Sequence, residues 1–170
     1  MLTEARDEPA NSSEFRAHET SIWRIRLPVT VTGGPVSKLT NPELTTMAIF
    51  RGWVGESPMS VTISSRPRAG RTLRAECRRL GTNFQSPRNG DFEFSVPGAR
   101  GARRVDGLVN LEEGLGEPPD WTEQVTYIVV ARGKNEFVIL TLRRRPAQLA
   151  EPTEAVIRSF ALIFASRPEP

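Results

Sequence analysis

Few side chains in this sequence are of a type that does chemistry. It has one histidine, His18, and one cysteine, Cys77. A Ser-His-Asp triad or a histidine-based metal site would have to use His18. That residue sits in an acidic opening segment without apolar periodicity. The segment is expected to be mobile, and a mobile side chain is not held to the fraction of an ångström that catalysis requires. His18 is therefore read as a solvated tail residue.

Cys77, in LRAECRRL, has Arg74 and Arg78 for neighbours, which would favour a nucleophilic thiolate. It also shares an apolar stripe with Leu73 and Leu80, where cysteine packs as a small hydrophobe, and that reading is preferred. A single cysteine excludes an internal disulfide and a cysteine metal cage. TGGPVSK lacks the Gly-Lys-Ser/Thr ending of a phosphate loop, and no GxSxG, HExxH or calcium-loop pattern is present. Glu112, Glu113, Glu117, Asp120 and Glu123 are spaced too irregularly for a cation loop and read as solvated acids. Neither a catalytic residue, a metal site nor a cofactor is assigned.

The charge distribution carries more information. Of 23 basic residues, 21 are arginines, a bias that a GC-rich genome would also produce. From Arg66 to Arg104 there are ten arginines and three acids, against a net charge of +3 for the whole chain. Arg71, Arg74, Arg78 and Arg79 cluster on or beside one helical segment, and Arg103 and Arg104 follow in the glycine turn GARGARR. Such a surface could dock an acidic protein, a phosphate-bearing ligand or nucleic acid. A plain solvated face is the bland alternative. Nucleic acid is disfavoured because no aromatic residues interleave these arginines as stacking platforms. Trp121, in an acidic, proline-rich loop, either anchors that loop or offers an exposed contact. The three arginines at 143–145 are read as a strand end kept soluble.

The elements that must position these groups are legible in part. The length, 170 residues, suits one domain. Residues 1–19 read as a flexible acidic arm, 20–165 as one domain and 166–170 as a tail. SIWRIRLPV alternates as a strand, TVTGGPVSKLTNPEL reads as a loop, and TTMAIFRGWVG and MSVTISSRP as two further strands. In AGRTLRAECRRLGTNF, Leu73, Cys77, Leu80 and Phe84 mark one helical face, with Gly81 as a left-handed stop. DFEFSVPG and RRVDGLVNLEE follow as strands. VTYIVVARGKNEFVILTLRRRP is a hairpin apolar on both faces, so its strands should be central and covered on both sides. Val125, Tyr127 and Val129 should share a face opposite Ile128 and Val130, and Phe137 and Ile139 one opposite Val138, Leu140 and Leu142. EAVIRSFALIF closes the chain as a helix. The expected architecture is α+β: an α/β/α sandwich with one mainly antiparallel sheet of six to seven strands and two main helices.

The closing hairpin, the acid-proline segment and EAVIRSFALIF, together with the mid-chain helix AGRTLRAECRRLGTN after MSVTISSRP and the opening strand SIWRIRLPVTVTGGP, resemble the PsbP-like family. That family includes a photosystem II extrinsic subunit, a Ran-GTPase release factor, actinobacterial lipoproteins and type VI secretion adaptor chaperones. The resemblance implies a non-enzymatic protein-binding, adaptor or chaperone module without a common active site. On this reading Arg71, Arg74, Arg78, Arg79, Arg103, Arg104 and Trp121 are the candidate partner-binding residues and the partner is another, acidic protein. Oligomeric state is open, a homodimer included. The alternatives are a small-ligand binder or unrecognised hydrolase with a pocket at the sheet edge, and a nucleic-acid binder. No signal pattern opens the sequence, and no apolar run reaches the roughly 18 residues of a membrane span. A cytoplasmic location is expected, or a secreted or lipoprotein one if a leader has been removed.

Overall fold

The computed structural model describes residues 14–41, 43–85, 89–110 and 122–163. Ten strands and two α-helices are present among them, in the order β1 (Phe15–Glu19), β2 (Trp23–Pro28), β3 (Val31–Asn41), β4 (Leu44–Val54), β5 (Ser57–Pro67), α1 (Leu73–Leu80), β6 (Asn89–Phe94), β7 (Ala102–Asn110), β8 (Thr122–Arg132), β9 (Glu136–Arg144), α2 (Ala150–Ser159) and β10 (Ala161–Leu162). Seven strands form an antiparallel sheet in the order β3-β4-β5-β9-β8-β7-β6, and β1-β2-β10 form a smaller second sheet.

The hairpin β8–β9 is central, as its two apolar faces require. Val125, Val129, Phe137 and Ile139 pack with Cys77 and Phe84 in one cluster. Ile128, Val130, Val138, Leu140 and Leu142 belong to the other, with Trp23, Ile25 and Leu27 of β2 and Val156, Ile157 and Phe160 at the end of α2. So α1 covers one face, while α2 and the small sheet cover the other. The fold is α+β with the sheet between helical layers.

Local signals explain α1. Thr72 accepts a hydrogen bond from the Ala75 amide at 3.1 Å, and Thr-Leu-Arg-Ala opens the helix with its first orphan donors satisfied. Gly81 differs from expectation: it is right-handed, at φ −78°, and the chain runs on through a 3-10 turn over residues 81–83. Helix α2 starts at Ala150, and Pro152 lies in its first turn, where its missing N–H costs no helical bond.

Four elements depart from the sequence reading. Residues 15–19, assigned to a mobile arm, form β1 paired with β2. Residues 31–41, read as a loop, form β3. There a side chain at Gly33 would lie 2.0 Å from the Ile49 carbonyl oxygen, so glycine permits close pairing with β4 where it had been read as punctuation. A register shift between Pro35 and Leu39 accommodates the proline. Residues 102–104 lie in strand β7 and not in a turn. Finally, the last helix ends at Ser159, and Ala161 and Leu162 pair with Arg24 and Trp23 as β10. Of these, β1, β3 and β10 are edge strands, whose pairing with a neighbour leaves little imprint on local sequence.

Candidate functional site

The arginines around α1 divide into two kinds. Glu76 is fully buried on α1, and three guanidiniums converge on its carboxylate: Arg79 at 2.7 Å, Arg71 at 3.0 Å and Arg66 at 3.7 Å. Arg66 also reaches Glu43 at 3.1 Å. Arg103 pairs with Asp91 and Glu93 on the adjoining edge strand β6. Arg104, on the opposite face, binds Asp106 and Glu154, and Asp106 accepts a hydrogen bond from the Thr126 hydroxyl. Arg71 and Arg79 thus hold the buried Glu76, which Arg66 ties to β5; Arg103 links β7 to β6, and Arg104 ties α2 to the sheet. Arg74 and Arg78 are exposed and form no ion pair among the described residues. Trp121 and residues 111–120 lie outside the described residues, as do residues 1–13.

His18 is in β1, its ring 4.8 Å from that of Phe50, and burial holds its imidazole below the usual value, with Arg16 adding to the effect. Burial pushes the Cys77 thiol up to about 12, with Asp91 acting in the same direction. Cys77 is thereby a packing residue. Among the described residues, no three or more His, Cys, Asp or Glu side chains cluster as a metal site. Likewise no helix among them is long and apolar enough to cross a membrane.

A second arginine cluster lies elsewhere. Helix α1 packs on β6, β7 and β8, so among the described residues no helix covers the same face across β9, β5 and β4 toward the far end. Strand register arranges that open end in rows. Arg51 on β4 is opposite Ser60 on β5, which is opposite Arg143 on β9. One row inward, Ile49, Thr62, Thr141 and Tyr127 are paired in the same way. One row outward, Trp53 is opposite Pro58. The outer two of these rows, with Glu123, Arg145 and Pro146, line a groove of about 720 Å³. Strands are roughly 4.8 Å apart, so the backbones bearing Arg51 and Arg143 are about 10 Å apart across Ser60.

Trp53 is 55% exposed, although tryptophan is highly buried on average. Arg51 and Arg145 are exposed and form no ion pair among the described residues. Arg143 pairs with Glu123 at 3.0 Å, the one acid lining the groove among the described residues. Tyr127 behind it has its phenol raised by burial, while Arg143 and Arg79 pull the other way. Arg144 points to the opposite face, where burial lowers its guanidinium and its Nε has no partner. Chemically, the groove presents cations beside the Ser60 hydroxyl, walled by an indole and prolines. It suits anions with apolar neighbours.

Sequence reasoning had placed the partner-binding residues on and near α1 and had read 143–145 only as a strand end. Arg51 and Trp53 were seen only as strand residues. The available signal was the in-phase pair Arg51 and Trp53 on a strand whose other face is apolar, beside a strand ending in arginines.

No family model matches the chain, and no curated protein matches it in sequence. Among solved structures it is similar to LpqN, a protein involved in cell envelope biogenesis of Mycobacterium tuberculosis, with a TM-score of 0.55. The two share a fold. Identity is 11%, and the match covers 84% of this chain and 83% of that one.

Proposed function

We propose that this chain is a non-enzymatic binding module of the PsbP-like class, an adaptor or chaperone that holds another protein at the open end of its seven-stranded sheet. The observation that carries the reading is the exposed indole of Trp53 set among Arg51, Arg143 and Arg145 in one groove. Tryptophan and arginine dominate the binding energy of protein interfaces, because each joins a broad contact area to directional hydrogen bonding. The excess of cations over Glu123 favours an acidic surface on the partner. Arg74 and Arg78 on α1 form a secondary basic patch on the same reading.

A small-ligand binder is the second reading, favoured by a groove volume within the usual range of roughly 300–1,000 Å³. Against it, the arginines and the indole are largely exposed, where small-molecule sites enclose most of their ligand. The fold likeness to a protein of cell envelope biogenesis favours a location at the envelope over the cytoplasm, which cell fractionation checks.

The test is a photo-crosslinking amino acid at position 53, compared with one at Ala75 on the exposed side of α1. A discrete protein joined to position 53, and lost when Arg51 and Arg145 become glutamate, supports the reading. Crosslinking only at position 75 moves the site to the helix. No protein product at either position refutes a protein partner.

A further inference from the structure

The groove sets its cations in strand-register rows, and its one carboxylate among the described residues, Glu123, pairs with Arg143. We infer that Arg51, Ser60 and Arg143 form a carboxylate clamp for an extended acidic peptide segment of the partner protein, and that Glu123 holds Arg143 until that segment displaces it. This inference rests on the reading of the groove as the partner-binding surface.

Arg51 and Arg143 flank Ser60 across two strand intervals, on one face. A carboxylate above Ser60 would sit between two guanidiniums, with a hydroxyl donor beneath it. Charge-assisted bonds of guanidinium to carboxylate are the stronger kind, and arginine offers two parallel donors to two oxygens. Arg145, the residue just after β9, also lines the groove. Two residues of extended chain advance about 6.6–6.8 Å, whether in this sheet or in a bound peptide. An acid-x-acid sequence in extended form therefore presents two carboxylates on one side, the first for the Arg51 and Arg143 pair and the second for Arg145. Trp53 and Pro58, opposite each other on β4 and β5, form the apolar wall for a proline or aromatic residue beside those acids.

Glu123 completes the case. Its pair with Arg143 is partly exposed, the two side chains being 29% and 40% accessible. Exposed pairs of this kind are weak, so an incoming carboxylate can replace this one at little cost. The result is an internal counter-ion that keeps Arg143 oriented and suppresses binding of weaker anions. An anionic lipid surface would use the same cations, but Glu123 within the cluster and Glu56 in the adjoining turn oppose a flat anionic layer. The one exposed indole among the described residues also gives little stacking surface for a nucleic acid strand.

The experiment uses the full chain and a fluorescein-labelled synthetic peptide of repeated Glu-Pro-Glu-Trp units, with anisotropy read at low and moderate salt. A peptide with lysine in place of glutamate, vesicles containing anionic phosphatidylglycerol, and a single-stranded oligonucleotide are run alongside. The expected result is saturable binding of the acidic peptide, weakened by salt. Glu123→Gln should tighten it about two- to fivefold, the equivalent of losing a weak exposed pair. Arg51→Glu with Arg143→Glu should abolish it, Trp53→Ala should weaken it at least fivefold, and Arg74→Glu with Arg78→Glu should leave it unchanged. Each variant is checked for an unaltered melt.

Weaker or unchanged binding in Glu123→Gln overturns the displacement mechanism, and loss of binding only in the α1 variant overturns the site. Binding of vesicles or oligonucleotide in preference to the peptide overturns the acidic segment as occupant. If the peptide fails to bind while position 53 still crosslinks a discrete protein, the clamp is wrong and the protein-binding reading stands. If neither is seen, both fall.

Discussion

Replacing Glu76 by glutamine keeps the shape of the side chain and removes the charge on which Arg66, Arg71 and Arg79 converge. The carboxylate is fully buried, and its contacts run from 2.7 to 3.7 Å. Removing one member of a buried ion pair costs about 3–5 kcal/mol, because a charge is left without compensation. Here the arginines are 11%, 35% and 38% accessible, so two of them can turn toward water and Arg66 keeps Glu43. Hydrogen bonds to a charged group contribute about 1.5–3 kcal/mol each, so allowing for this rehydration the net loss should be roughly 2–3 kcal/mol. For a chain of this size that lowers the melting temperature by roughly 4–12 °C. Urea denaturation should show a lower midpoint with an unchanged m-value, since the exposed surface of the unfolded chain is the same. Arg74→Ala, one helical face away and exposed, should stay within about 0.5 kcal/mol of the parent. A loss below about 0.5 kcal/mol in Glu76→Gln, or an equal loss in Arg74→Ala, would refute the claim that these arginines serve the fold.

Gly107→Ala would put a methyl 2.2 Å from the ring of Phe84, which stacks on Tyr127 at a centroid distance of 5.7 Å. It should destabilise by about 1–3 kcal/mol in thermal melts, and a smaller residue at Phe84 should partly restore stability. Cys77 should resist iodoacetamide at pH 8 in the folded protein and react promptly in urea, given burial and a thiol pushed up to about 12; rapid native labelling would contradict this. The hydrogen bond from Arg104 lowers the Glu154 carboxyl below its ordinary value. Its contribution is therefore complete above the ordinary carboxylate value and disappears as pH falls through the lowered one. Melts between pH 3 and 7 should show that acid loss, and Glu154→Gln should flatten it.

How much was legible follows from the range of each interaction. The hairpin β8–β9 was read correctly, down to which residues share a face, because both its strands are buried and alternate between two cores. The stripe Leu73, Cys77, Leu80 and Phe84 also packs where its helical spacing puts it. Strands β1, β3 and β10 were missed. Phe15–Glu19 has no apolar alternation, β3 contains two glycines and a proline, and Ala161–Leu162 continues an apolar helical stripe. Their extended state comes from partners distant in the chain. Of the candidate site, the count of arginines was visible and their allocation was not.

What the sequence determined by itself was periodicity: alternation of two for the central strands, a stripe at three and four for the helices, and hence an α+β fold with a core on each side of one main sheet. Its charges were equally plain. Only the tertiary structure decided which charges meet. Glu76 gathers arginines from α1, from the loop before it and from β5, so what looked like a basic surface is largely internal cross-bracing. Arg51 and Arg143, 92 positions apart by number, come to flank Ser60 because antiparallel register aligns β4, β5 and β9. Register is set by the buried face, and the open face inherits its neighbours from that choice.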